Sequence, residues 1–297
     1  MKSLVITGNG FDVAHKLPTR YSDFMDYVWN VDREFYEQLI KYIFEDDLWN
    51  DFENALGFLE AGEIKAMSDA AYLNYEGRYN DSQQAIIEEL EFSTRISEIL
   101  KEWIQSINTN VEPVVSDKII DNGNIFINFN YTDTLETVYN ILEENICYIH
   151  GKGTRSERLI IGHHNIFAYG AMPLMLTYQE MDEWIKYERN KSYEEKEKEF
   201  AIDSYFTNTY KDTDAIIVNH RKIFERLEEV EAVYVLGHSL SHVDFTYFQR
   251  ICSCVSPECV WYITYYSVKD KRNAQKMIDE LEIKKYVIDT FEELCRK

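Results

Sequence analysis

The sequence predicts an α/β protein: a mostly parallel sheet covered by helices on both faces, with two large helical insertions. Three observations predict it. Short apolar runs of strand-forming residues alternate with helix-patterned stretches. Those runs end in polar, turn-forming motifs. Two long stretches, about 20–118 and 165–230, carry helical periodicity and little strand signal. The expectation is one domain over 1–297 that contains both insertions.

The first run, Leu4-Val5-Ile6-Thr7, breaks at Gly8-Asn9-Gly10-Phe11-Asp12. A buried strand that ends in a glycine turn is how nucleotide-binding α/β folds begin. Gly8 and Gly10 have no Cβ, so the backbone there can bend sharply and approach a ligand. Amide groups left free at such a turn can face phosphates. A plain turn that binds nothing fits the same residues, because Val13 stands where GxGxxG needs its third glycine.

After Pro18, Thr19 or Ser22 caps a helix from about Asp23. Helical spacing then runs through Phe24, Tyr27 and Val28, through Phe35, Leu39, Ile40 and Ile43, and from Ile86 to Ile107. Only Gly57, Gly62 and Asn74 to Asp81 interrupt it. Strand signals resume at Ile125–Phe129, after the turn Asp121-Asn122-Gly123-Asn124. Asp133 and Glu136 form a capping-box pattern for a helix to about Leu142. Further strands are expected at Ile146–Ile149 and Leu159–Ile161. The second helical block fills about 172–230, and its charged stretch Lys186–Lys198 reads as a solvated face. Strand Ala232–Leu236, a helix from about Val243, strand Val260–Tyr265, helix Lys269–Leu281, strand Lys285–Ile288 and a short helix from Thr290 complete the chain.

In parallel sheets, ligands bind just beyond the carboxyl ends of the strands. The polar motifs here fall at those ends: Gly8-Asn9-Gly10, Asn130-Tyr131-Thr132, His150-Gly151, Gly162-His163-His164 and Gly237-His238-Ser239. Several histidines and an asparagine are therefore expected on one rim.

Composition narrows the partners. A formal net charge of −22 over 297 residues argues against direct binding to a nucleic-acid backbone, which needs clustered Lys and Arg. No apolar run reaches membrane-spanning length, and no secretory signal is evident. Five cysteines fit a reducing cytoplasm better than a disulfide framework.

Metal chemistry draws on some of the same residues. His163, His164, Asn165, His238, His242 and Asp244 offer metal ligands, but the His238/His242 pair begins in a loop and HExxH lacks its glutamate. No metal is expected on that ground. Cys252, Cys254 and Cys259 lack a fourth zinc ligand at normal spacing and read as thiols beside a strand. Asp244 lies three residues after Ser241, which a capping box explains. Trp29, Trp49, Trp103 and Trp184 are expected in the core, with an interface as the alternative.

The motifs also carry a resemblance. Ile6–Asp12, then Leu17-Pro18-Thr19-Arg20-Tyr21-Ser22-Asp23-Phe24, resembles the opening of the AbiH family of bacteriophage abortive-infection proteins. Phe129–Thr132, Ile149–Gly151, Ile161–His163 and Leu236–Leu240 followed by Asp244 resemble that family's later motifs, in order. More distantly, the same order resembles the sirtuin-like (SIR2-like) NAD-binding Rossmann fold. That likeness implies a glycine loop for the pyrophosphate at Gly8, Asn9, Gly10, Phe11 and Asp12. It implies catalytic roles for Asn130 and His150, and further ligand contacts at Gly237, His238, Ser239 and Asp244. Thr132 stands where that fold's Asn-x-Asp motif has its acid, and paired Cys-x-x-Cys motifs for zinc are lacking. These departures point away from deacylation, and the resemblance to SIR2-like defence proteins implies hydrolysis of NAD. The alternatives are a nucleotide-binding sensor and a metal-dependent hydrolase or nuclease. The implied partners are a nucleotide, a phage or host protein as trigger, and further copies of the chain.

Overall fold

The computed structural model describes residues 2–43, 48–62, 64, 81–164 and 178–295. The chain divides into two compact units. One comprises Met1–Tyr27, Ser97–Ile160 and Asp212–Lys297; the other comprises Val28–Ile96 and Ile161–Lys211.

The first unit holds a sheet of β1 (Ser3–Thr7), β2 (Ile125–Asn128), β3 (Ile146–Tyr148), β4 (Ala232–Leu236), β5 (Val260–Tyr265) and β6 (Tyr286–Thr290). Its order is β3-β2-β1-β4-β5-β6, and every adjacent pair is parallel. This is the strand order of the dinucleotide-binding Rossmann fold, in which the order of connection reverses between β1 and β4. The expected α/β parallel sheet is thus present.

The central strands read as unbroken apolar runs because both faces are covered. Leu4, Ile6, Ile127, Val233, Val235, Trp261 and Ile263 pack on one face against Tyr247, Phe248, Ile251, Ile216, Phe224, Ala274, Met277 and Ile278 from the helices that follow β3, β4 and β5. Val5, Phe126, Ile146, Tyr148 and Leu236 pack on the other, against Phe11, Leu135, Ile119, Phe291 and Leu294. β1 alternates between these two cores residue by residue, as strand geometry requires.

The second unit is helical among the described residues, with helices at Arg33–Tyr42, Phe52–Ala55, Asp81–Leu90, Tyr178–Asn190 and Tyr193–Thr209. Its core includes Lys211, 0% exposed, whose ammonium is paired with the Glu53 carboxylate. Of the interruption expected over 74–81, residues 74–80 lie outside the described residues and Asp81 instead opens a helix; residue Asn165, the start of the second helical block at 172–177 and the Trp184 side chain also lie outside the described residues.

Several local expectations need correction. Leu159–Ile161 is not a strand; the Ile160 amide bonds the His150 carbonyl instead of a sheet neighbour. The helix expected after Asn130 starts at Thr134 but stops at Tyr139, where Asn140 turns left-handed at φ 54. Neither capping box at its start or at Ser241 forms. Asp133 accepts from the Thr109 hydroxyl at 2.8 Å, and Glu136 is drawn away by Lys152 at 2.8 Å. Local sequence proposes a cap, but a stronger tertiary partner takes the carboxylate. Trp103 is buried as expected, whereas Trp29 is exposed and carries the Arg33 guanidinium over its ring.

Candidate functional site

The glycine turn sits where β1 and β4 end side by side. Gly8 caps the helix Asn9–Ala14, which begins inside the glycine motif itself. The Gly8 amide donates to the Leu236 carbonyl at 3.0 Å, and the Gly10 amide donates to the Gly237 carbonyl at 2.7 Å. A Cβ on Gly8 would lie 2.6 Å from His238 Cα, and one on Gly10 would lie 2.8 Å from the Gly237 oxygen. Gly237, at φ 65, adopts the left-handed conformation that favours glycine. The three glycines therefore let two backbones pack against each other at the switch point. Contrary to expectation, the turn leaves no free amide at Gly8, Gly10 or Phe11, the last of which donates to the Gly8 carbonyl at 2.8 Å. Asn9 remains exposed.

Asp12 lies inward, 1% exposed. Its two carboxylate oxygens accept from the Thr132 hydroxyl at 2.6 Å and the Thr134 hydroxyl at 2.8 Å. Burial pushes its pKa up to about 6, against the pull of these hydrogen bonds and of Asn130. Asp12 thus ties the β1 turn to the β2 turn. Asn130 does the same from the other side: its side-chain amide donates to the Gly8 carbonyl at 3.0 Å, and its backbone amide donates to Asn128 Oδ1 at 2.9 Å. Asn128 Oδ1 also accepts from the Thr7 hydroxyl at 2.8 Å. The geometry gives Asn130 a positioning role in the turn.

Two histidines gather around Phe129 at the ends of β2, β3 and β4. His150, 2% exposed, has Nε2 3.2 Å from the Tyr247 hydroxyl. Phe129 meets His150, His238 and Tyr247 edge-on, with centroids 5.3, 4.5 and 5.3 Å away. His238 Nδ1 accepts from the Leu240 amide at 3.0 Å, which places the ring proton on Nε2. That nitrogen faces Asp244 Oδ2 at 3.4 Å. Asp244 therefore orients an imidazole rather than capping a helix. Ser239 is exposed, and its carbonyl accepts from Asn273 at 3.0 Å. The structure brings Gly8, Gly10, Phe11, Asp12, Asn130, His150, Gly237, His238 and Asp244 to the ends of four adjacent strands.

His163 and His164 belong to the second unit, where the His163 backbone bonds Thr209 and Lys211 at 2.8 Å each. Among the described residues no group of three or more His, Cys, Asp or Glu is placed to hold a metal. Cys259 is buried, whereas Cys252 and Cys254 are half-buried. No described helix is long and apolar enough to cross a membrane.

Sequence reasoning missed Asn128, Thr134 and Tyr247. Thr134 and Asn128 had a findable signal, as polar residues flanking a strand-end motif. Tyr247 had none, since its place on a helix face looks like ordinary core spacing.

No curated protein and no solved structure matches the chain. The family model described as "Bacteriophage abortive infection AbiH" matches residues 4–265, from the first residues of β1 to the last of β5. That match covers most of the chain and every motif on the rim, so the chain belongs to the AbiH family and its role is in abortive infection.

Proposed function

We propose that the protein acts in abortive infection by binding NAD at the strand-end rim and hydrolysing its nicotinamide–ribose bond in the cytoplasm. The observation that supports the reading is the strand order, with a nucleotide-type switch point between β1 and β4 and a buried imidazole, His150, at the end of β3 on the same edge of the sheet. The motif order that resembles SIR2-like proteins supports the choice of NAD.

In this reading water attacks the anomeric carbon of the nicotinamide ribose. The electron pair of the breaking carbon–nitrogen bond moves to the ring nitrogen and quenches its positive charge, so no general acid is required. The transition state is oxocarbenium-like, as in glycoside hydrolysis. His150 takes the proton of the water, with the Tyr247 hydroxyl holding its ring. Asn130 shapes the glycine turn and offers its amide to a ribose hydroxyl when a ligand displaces the Gly8 carbonyl. Asn9 and Ser239 are the exposed members that a ligand meets first, while Phe11, Asp12, His238 and Asp244 form the wall behind them. Because the Gly8 and Gly10 amides are held by the β4 turn, phosphate binding there requires the two turns to part. A phage or host protein, or assembly with further copies, supplies the free energy for that step.

A sensor that binds a nucleotide without cleaving it is the second reading. It is favoured by the engagement of His150 Nε2 with the Tyr247 hydroxyl and of the Asn130 side-chain amide with the Gly8 carbonyl, both within the chain.

The test is nicotinamide release from NAD by the purified protein, His150→Ala and Asn130→Ala, with and without extract of phage-infected cells. Release by the parent that His150→Ala abolishes while still folded is expected. NAD binding without release in any sample would replace hydrolysis with the sensor. Absence of binding would sink both readings.

A further inference from the structure

One aromatic side chain on the same rim has no part in that chemistry. Tyr266 follows β5 directly, one strand beyond the β4 turn. It is 51% exposed, an unusual position for a large ring that is nevertheless fixed on three sides. Its hydroxyl donates to the Gly10 carbonyl at 2.9 Å. Its ring edge borders Gly10 so closely that a Cβ there would lie 2.9 Å from Cε2. One ring face stacks on Phe291, with centroids 5.3 Å apart and planes 19° from parallel. The exposed area is what these contacts leave uncovered.

A clamp on the glycine turn needs only the hydroxyl. It does not need an open aromatic face, held rigid at the carboxyl end of a strand where α/β folds bind ligands. A ring fixed in advance loses no rotamer freedom when a flat ligand stacks on it. We propose that Tyr266 is the platform on which the adenine base of a nucleotide ligand stacks. The inference rests on the nucleotide reading of the rim and names the part of the ligand that this side of it recognises.

The experiment measures binding of AMP, ADP-ribose and nicotinamide mononucleotide to the full chain by calorimetry. Tyr266→Ala and Tyr266→Phe are compared with the parent. Stacking on an aromatic side chain contributes enough that its loss weakens a base-containing ligand by about 5- to 100-fold. Tyr266→Ala is therefore expected to weaken AMP and ADP-ribose by that factor and to leave nicotinamide mononucleotide, which lacks adenine, unchanged. Tyr266→Phe keeps the ring and loses the Gly10 bond, so it is expected to retain AMP. Equal loss in both variants would make Tyr266 a clamp and overturn the proposal. Equal loss for all three ligands, no loss at all, or no AMP binding by the parent would also overturn it. AMP binding that depends on the ring, with no turnover of NAD, would leave the platform standing and remove only the hydrolysis.

Discussion

Asp12→Asn isolates one buried charge and yields a pH dependence that can be worked out beforehand. Asp12 is held by two threonine hydroxyls inside the sheet unit, and burial raises its pKa from 3.8 to about 6. A carboxyl whose pKa is higher in the folded state binds its proton more tightly there. Its contribution to stability is fully present below the unfolded pKa and is lost as pH rises through the folded one. A tenfold difference in proton affinity between the two states is worth about 1.4 kcal/mol, so the full contribution is about 3 kcal/mol. About 2 kcal/mol of it disappears between about pH 4.5 and 7.5. The asparagine amide can accept from one threonine and donate to the other, and it does not titrate. The variant should therefore gain on the parent by about 2 kcal/mol over that range. For a chain of this length that is about 3 °C in Tm. Thermal unfolding of both proteins at three pH values, followed by circular dichroism, measures it. Parallel pH profiles would refute the reasoning. They would mean that the hydroxyls of Thr132 and Thr134 and the nearby Asn130 amide compensate fully for burial.

Two further outcomes follow from the same packing. Gly237→Ala, at φ 65 and with its new Cβ colliding with the Phe11 amide, should lower stability by about 3 kcal/mol or leave the protein insoluble; Gly62→Ala, which meets nothing within 4 Å, is the control, and equal Tm values for the two variants would contradict the backbone-packing account. Lys211→Met removes the buried ammonium that pairs with Glu53 and should cost about 3 kcal/mol, because removing one member of a buried ion pair is expensive; adding Glu53→Leu should recover much of that loss in urea unfolding, and a double variant no better than the single would show that the ion pair is not the cause.

The fold class was legible because burial on two faces leaves a local mark. Leu4-Val5-Ile6 and Ala232-Val233-Tyr234-Val235-Leu236 are apolar throughout, as strands covered on both sides must be. The rim was legible for a related reason. A parallel strand must turn at its carboxyl end, and Gly8-Asn9-Gly10, His150-Gly151 and Gly237-His238-Ser239 are turn-forming motifs that stand there. The short run Leu159–Ile161 was misread because three apolar residues bury equally well in a strand or in a loop, and only available sheet partners separate the two. The capping boxes at Asp133 and Ser241 failed for another reason. Carboxylates choose the strongest partner in space, and neither Lys152, which takes Glu136, nor His238, which takes Asp244, belongs to the helix start that a capping box would close.

The sequence by itself determined an α/β chain of the AbiH family whose polar motifs lie at strand ends, because periodicity and turn chemistry are local properties. Tertiary structure alone decided the strand order, and with it the closure of Gly8 and Gly10 against Gly237, the pairing of His238 with Asp244 and the approach of Tyr247 to His150. Each of these joins residues that no local pattern connects. They depend on which strands lie side by side, and that is settled by the packing of the whole sheet and its helices.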